Sequence, residues 1–126
     1  MLTQIQHWNN KDIVIILGDG GLAAAQMMLY KEEQNFGGTA WIWDLWVSPF
    51  DREKGLARQM LTNLEYLAKR EGHKSVHLEW EAKNTERWVL DWYLRQGYEI
   101  REQNFDKTYA LLEKKLIATE ETNKKD

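Results

Sequence analysis

The apolar pattern changes its period once, abruptly, near the middle of the chain. Over residues 41–47 large residues alternate: Trp41, Trp43, Leu45 and Val47 fall on one side, and Ile42, Asp44 and Trp46 on the other. From Leu56 the repeat lengthens. Leu56, Met60, Leu64, Leu67 and Ala68 recur at helical spacing, and Ala57 and Leu61 widen the stripe. Between the two lie Ser48-Pro49, and Gly55 stands where the helix opens. A strand, a short turn and a helix must therefore succeed one another here. Large residues on both sides of the strand predict a central strand covered on two faces.

Other elements fall around this unit. Residues 12–17 hold the β-branched run Ile13, Val14, Ile15 and Ile16, ended by Gly18-Asp19-Gly20-Gly21. An Asp-Gly turn between apolar runs predicts a hairpin, because glycine tolerates the positive φ of such turns. Its return strand is residues 22–30, although the alanines there also suit a short helix. A second turn at Asn35 to Thr39 contains Gly37-Gly38. After the helix, which Gly72 suits as a left-handed cap, residues 75–81 alternate again. Val76, Leu78 and Trp80 point one way, and His77, Glu79 and Glu81 the other. Asn84 or Thr85 can cap a second helix with the stripe Trp88, Val89, Trp92 and Tyr93, stopping near Gly97. Residues 98–102 and 108–116 form a last pair of strands. The expected fold is a mixed α/β sheet, with antiparallel hairpins flanking one parallel crossover, in a single domain over residues 1–117. Residues 118–126 read as a polar, disordered tail.

Composition narrows the function. Among 126 residues there is no cysteine, which excludes a thiolate nucleophile and zinc–thiolate chemistry. The three histidines lack metal-ligand spacing, so no metal is expected. The net charge of −3, with Lys and Arg spread along the chain, argues against nucleic acid. No apolar run suits a membrane span and no segment resembles a secretory signal, so the expected location is cytoplasmic. Most of the seven tryptophans are expected in the core.

The turn into the first helix has the chemistry of an anion site. The first amide hydrogens of a helix lack internal partners and carry the positive end of its dipole. Gly55 and Ala57 let a ligand approach the backbone, and Arg52, Lys54 and Arg58 add positive charge. Such an arrangement suits a diphosphate.

The same residues carry a resemblance. Arg52, Gly55 and Ala57, preceded by Val47 and Pro49, match the pyrophosphate loop of the GCN5-related N-acetyltransferase (GNAT) superfamily. Tyr93 followed by Gly97-Tyr98 matches that family's later tyrosine and Gly-aromatic pair. The resemblance covers roughly residues 12–116. It implies the acyl-CoA N-acyltransferase fold, acetyl-CoA as co-substrate and transfer of an acetyl group to a primary amine by direct attack. The family usually opens with a strand and one or two helices. Only about ten residues precede Ile13, so the resemblance implies an N-terminally truncated form. The pyrophosphate would meet the amides of Glu53, Lys54, Gly55, Leu56, Ala57 and Arg58. The pantetheine arm would run along Leu45, Trp46 and Val47, with an oxyanion-binding amide near Trp46 or Val47. Tyr93 occupies the proton-donor position. The family's asparagine position holds Glu86 here, and Asn84, two residues earlier, is either its substitute or a helix cap.

An amine acceptor must lose a proton. Asp44, Glu79 and Glu81 are candidate bases, with His77 beside them, while His7 and His73 read as surface residues. Two other readings stay open. A member of this fold could bind acyl-CoA or a partner protein without catalysis, or a homodimer could complete the acceptor pocket.

Overall fold

A computed structural model of the chain describes residues 1–34, 37–48, 52 and 55–116. Among these residues, seven strands and two helices succeed one another as β1 (Leu2–His7), β2 (Lys11–Leu17), β3 (Ala23–Tyr30), β4 (Ala40–Val47), α1 (Leu56–Arg70), β5 (Ser75–Glu81), α2 (Arg87–Arg95), β6 (Glu99–Gln103) and β7 (Tyr109–Lys115). The strands form one sheet in the order β1-β2-β3-β4-β5-β7-β6. Every neighbouring pair is antiparallel except β4–β5, which the crossover through α1 makes parallel.

The opening strand departs from the sequence reading. Residues 2–7 pair with β2 along their whole length, from Leu2 against Leu17 to His7 against Asp12. The truncated form expected from the sequence therefore has its first strand. A tight turn, closed by Trp8 N–H donating to the Lys11 carbonyl (2.9 Å), joins β1 directly to β2. No helix fits between them. The strand escaped notice because Leu2, Gln4 and Gln6 are exposed and Thr3, Ile5 and His7 alternate only weakly. Residues 23–30 form a strand, not the alternative helix. Gly20 and Gly21 adopt φ of 66° and 75° in the turn before it.

Both helices pack on one sheet face. Met60, Leu61, Leu64 and Ala68 of α1 and Leu90 and Tyr93 of α2 share a core with Val14, Ile16, Met27, Ile42, Val47, Val76, Leu78, Trp80 and Leu112. The helix α1 closes as the sequence predicts. Gly72 takes φ 93°, its N–H meets the Lys69 carbonyl and the His73 N–H meets that of Ala68, the paired bonds of a left-handed cap. Across the helix core, the Glu65 carboxylate accepts from the Tyr98 hydroxyl (2.8 Å) and from Lys114 Nζ (3.1 Å), tying α1 to the end of α2 and to β7.

The central strand is not uniformly alternating. Gln26 of β3 opposes Asp44 and Met27 opposes Ile42, so Trp43 is an extra residue with no counterpart on β3. This bulge flips the parity of the residues after it. Ile42 and Val47, placed on opposite sides by simple alternation, join the same core. Trp43 is left 65% exposed and Trp46 44%. The expectation of a strand covered on both faces fails over this half. The tryptophan expectation fails with it: Trp41 and Trp80 are buried, Trp92 is half-buried, and Trp8, Trp43, Trp46 and Trp88 are exposed.

The parallel joint is short. Between β4 and β5 only Ala40 pairs with Val76 and Trp41 with His77. Beyond Trp41 the strands splay. One rung crosses the sheet at this apex, running Gln6–Ile13–Met28–Trp41–His77–Glu113–Glu99. Trp41 stacks on His77 with centroids 4.9 Å apart, and Trp41 Nε1 donates to the Gly38 carbonyl (3.1 Å). His77 is 1% exposed and shares a 2.9 Å hydrogen bond between its Nε2 and Glu113 Oε2. A carboxylate only accepts, so the Glu113 contact assigns a proton to Nε2. Gly38 closes over the other ring nitrogen: a Cβ on it would stand 2.5 Å from His77 Nδ1.

Gly38→Ala is therefore expected to push the ring out of its stack and to cost about 2 kcal/mol, the penalty of an overpacked core. A denaturant midpoint unchanged from the parent protein would contradict this packing. The same ring sets a pH effect. Burial lowers the His77 pKa against the opposing pull of the Glu113 carboxylate, and burial also lowers that of His73, whose Nδ1 bonds the Thr39 hydroxyl. The folded protein thus binds fewer protons than the unfolded chain as pH falls below about 6.5. Stability is expected to hold above that pH and to drop as the solution is acidified through the lowered values. Thermal melts between about pH 7.5 and 5.5 measure the drop, and His77→Gln should reduce it.

Candidate active site

The splay opens a cleft between the C-terminal half of β4 and α2, at the mouth of α1. Strand geometry decides what faces it. Ser48 N–H turns to the β3 side and bonds the Leu22 carbonyl (2.7 Å). Successive residues of a strand direct their backbone groups to opposite edges, so Val47 and Leu45 direct theirs into the splay. The Val47 carbonyl accepts there from Arg52 Nε at 3.2 Å. Of the two positions near which the resemblance puts an oxyanion-binding amide, Val47 directs its backbone groups to the splay and Trp46 directs its own to the β3 edge. The Trp46 side chain still borders the cleft.

This cleft encloses about 720 Å³, within the usual range for a small-molecule site. It brings together Leu45, Trp46, Val47, Arg52, Gly55, Leu56, Ala57, Arg58, Asn84 and Tyr93, all of the described residues that the sequence assigned to coenzyme binding. Glu53 and Lys54 lie outside the described residues. Gly55 is the N-cap of α1 in a left-handed conformation (φ 79°), and a Cβ there would meet nothing within 4 Å. The first intrahelical bond runs from Gln59 N–H to the Gly55 carbonyl (3.0 Å). With glycine at the cap, no side chain at that position competes for the leading amides. Arg52 reaches over the Trp88 ring, its guanidinium carbon 5.4 Å from the centroid. One of its donors is used on Val47, and its planar fork has others to offer.

Neither Asn84 nor Thr85 caps α2. Glu86 is the N-cap, and the N–H groups of Asn84 and Thr85 turn back to the Glu81 carbonyl. Asn84 stands instead between this cleft and a second one, of about 440 Å³, on the far side of Tyr93. The second cleft is lined by Trp41, Trp43, Asp44, Glu79, Trp80 and Glu81 among others, and shares Leu45, Asn84, Thr85, Val89 and Tyr93 with the first.

Tyr93 therefore lies at the junction. Its ring packs edge-on to Trp92 (5.0 Å) and Tyr98 (5.5 Å), so the core-packing and cleft roles coexist. Burial, helped by the charges of Asp44 and Glu65, pushes its pKa well above the usual tyrosine value. The hydroxyl stays protonated throughout the neutral range, which suits a donor and excludes a base. Glu79 accepts a 2.6 Å bond from the Tyr109 hydroxyl, which orients it. Asp44 enters the second cleft as the residue after the bulge. His77, named beside the candidate bases, is buried at the apex and lines neither cleft. His73 is half-buried rather than a free surface residue. Sequence reasoning missed Trp88, which holds Arg52, because its helical spacing marked it only as core. It also missed Arg95, which lines the first cleft from the far end of α2.

The sequence over residues 1–98 matches the model of the acetyltransferase (GNAT) family. No curated protein is similar enough in sequence to match. Solved structures are alike in fold. A protein assigned as an acyl-CoA N-acyltransferase from Klebsiella pneumoniae superposes with a TM-score of 0.66 at 20% identity, covering 86% of this chain and 74% of its own. An acetyltransferase from Bacillus cereus gives 0.61 at 19%, covering 82% and 71%. The PaiA N-acetyltransferase from Thermoplasma acidophilum, solved with coenzyme A, gives 0.65 at 14%, covering 84% and 61%.

Proposed function

Because the chain belongs to the acetyltransferase (GNAT) family, we propose that it moves an acetyl group from acetyl-CoA to a primary amine by direct attack, in the two clefts that meet at Tyr93. The observation that carries this reading is the glycine-capped start of α1, open at Gly55, with Arg52 just before it and Arg58 in its first turn, all lining the larger cleft. That end of the helix suits a diphosphate by both dipole and amide geometry. The extended pantetheine arm suits the unpaired edge of β4, where Leu45 and Val47 present backbone groups that no β5 residue takes up.

Acetyl-CoA supplies an activated acyl carbonyl when bound. The chain's residues supply position and proton handling. An amide of Leu45 or Val47 would bond the carbonyl oxygen as charge grows on it. Asp44 or Glu79, facing the second cleft, would accept the proton of the ammonium, directly or through water, so that the free amine can attack. Tyr93 would hold a hydrogen bond to the departing sulfur. Its raised pKa makes it a weaker acid than a thiol of ordinary pKa near 8.5. The bond therefore stabilises developing charge, and the proton finally carried by the sulfur is one the amine gives up.

Calorimetry with acetyl-CoA tests the first half. The parent protein is expected to bind, and Ala57→Glu, which sets a carboxylate against the helix start, to bind at least about tenfold more weakly. No binding by the parent protein would remove the reading. Thiol release over an amine panel tests the second half. Tyr93→Phe is expected to lower kcat by about 100-fold with little change in KM for acetyl-CoA. Binding without turnover on any amine would favour an acyl-CoA-binding module of the same fold.

A further inference from the structure

The two clefts differ in charge. The described lining of the larger one holds Arg52, Arg58 and Arg95 against Glu86. The smaller one holds Asp44, Glu79 and Glu81, and no Lys, Arg or His among its described lining residues. Tyr93 stands between a basic half and an acidic half of one continuous groove.

Resting on the acyl-transfer reading, we propose that the acceptor is a small unbranched amine that carries a second cationic group, a diamine rather than a monoamine. Three features of the smaller cleft point this way. The first is charge of one sign. Asp44 of β4 and Glu79 and Glu81 of β5 line the cleft together, and a cleft lined by one sign of charge draws in the opposite one. Within the chain Glu81 meets Lys83 at 3.7 Å, in a pair whose lysine is largely exposed and whose carboxylate is partly so, and such a pair is easily exchanged. A monocation reaching the acyl group would answer Asp44 or Glu79 and leave Glu81 with Lys83 alone.

The second feature is spacing. Glu79 and Glu81 alternate on one face of β5, about 7 Å apart along the strand. A flexible chain of a few methylenes spans that length, with its reacting end toward Tyr93 and its other end at Glu81. The Tyr109 hydroxyl holds Glu79 in place on this line.

The third feature is the wall. The bulge leaves the Trp43 ring 65% exposed beside the carboxylates. A tryptophan face attracts an ammonium, and its apolar edge covers methylenes. An anionic acceptor is repelled by this lining, and a neutral one gains only its apolar contacts. The volume of about 440 Å³ matches a small molecule.

In the reaction one ammonium gives a proton to Asp44 or Glu79. Its nitrogen then bonds to the acyl carbon, the carbon–sulfur bond breaks, and coenzyme A leaves as the thiol with the nitrogen's second proton. The far ammonium keeps its protons and its carboxylate throughout.

The test compares a short alkane diamine with the monoamine of equal chain length, at saturating acetyl-CoA, by thiol release. In parallel, calorimetry measures binding of each amine with coenzyme A present. The diamine is expected to be favoured roughly tenfold in kcat/KM and in Kd, the effect of one or two partly exposed ion pairs. Glu81→Gln should reduce that preference to about twofold or less. Equal kcat/KM and equal Kd for the two amines would overturn the inference while thiol release kept the transferase reading intact. Better turnover of a lysine-bearing peptide than of the diamine would overturn it too. If acetyl-CoA binds but no amine releases thiol, the transferase reading falls, and the binding comparison alone decides. A diamine preference lost in Glu81→Gln then upholds the acidic site, and equal binding ends it.

Discussion

Two residue pairs hold the halves of this sheet together. Ala40 against Val76 and Trp41 against His77 are the whole of the parallel contact between β4 and β5. A parallel pairing this short would be weak by its hydrogen bonds alone. It is reinforced by the Trp41–His77 stack, by Gly38 closing over the imidazole and by the Glu113 carboxylate on the next strand. Because the joint is confined to one end, the strands can diverge beyond it. The divergence makes the groove, and leaves β4 with backbone groups that β5 does not satisfy. Unpaired strand edges are normally a hazard. Here the edge faces a cleft between two helices of the same molecule.

The bulge at Trp43 is the second device, and it acts within the first. One additional residue changes which side chains of β4 enter the helix core and which enter the groove. Ile42 and Val47 end in the same core, while Trp43 and Asp44 are delivered to the smaller cleft. Tyr93 is fixed at the meeting point by edge-on packing against Trp92 and Tyr98, and Tyr98 is itself anchored through Glu65. The side chain at the junction of the two clefts is thus held by the same contacts that attach α2 to α1. Charge is divided across this tyrosine, basic toward the helix start and acidic toward β5. A groove polarised in this way separates an anionic ligand from a cationic one through fixed side-chain charge.

The arrangement also explains the tryptophans. A chain this short has little interior, and rings as large as indole fill it quickly. Trp41 and Trp80 occupy that interior. Trp43, Trp46 and Trp88 border the clefts, where a broad apolar face can meet a ligand or hold an arginine. Composition alone could not distribute them, because burial depends on which face the bulge assigns and not on the residue type.

Legibility in the sequence tracked the range of the interaction involved. Local signals were enough for α1 with its buried stripe, for the left-handed glycine at 72, and for the residues lining the larger cleft that lie close together along the chain. These depend on periodicity, backbone freedom and neighbours within a few residues. The strand at residues 2–7 was not legible, since its stabilisation comes from pairing with β2 and not from any apolar pattern of its own. Nor was the bulge, because an unpaired residue is defined only against the opposing strand. The cap of α2 shifted from Asn84 or Thr85 to Glu86 because a turn back to the Glu81 carbonyl competed for those amides. His77 looked like one more polar residue on an alternating strand, and became the sealed apex through Trp41, Gly38 and Glu113, each distant in sequence. The amino-acid order by itself determined most of the elements and the small and basic residues around the helix start, which are short-range. Only the tertiary structure decided where the sheet opens, which carboxylates face Tyr93 and which tryptophans see solvent, because those depend on register between strands that the chain brings together from far apart.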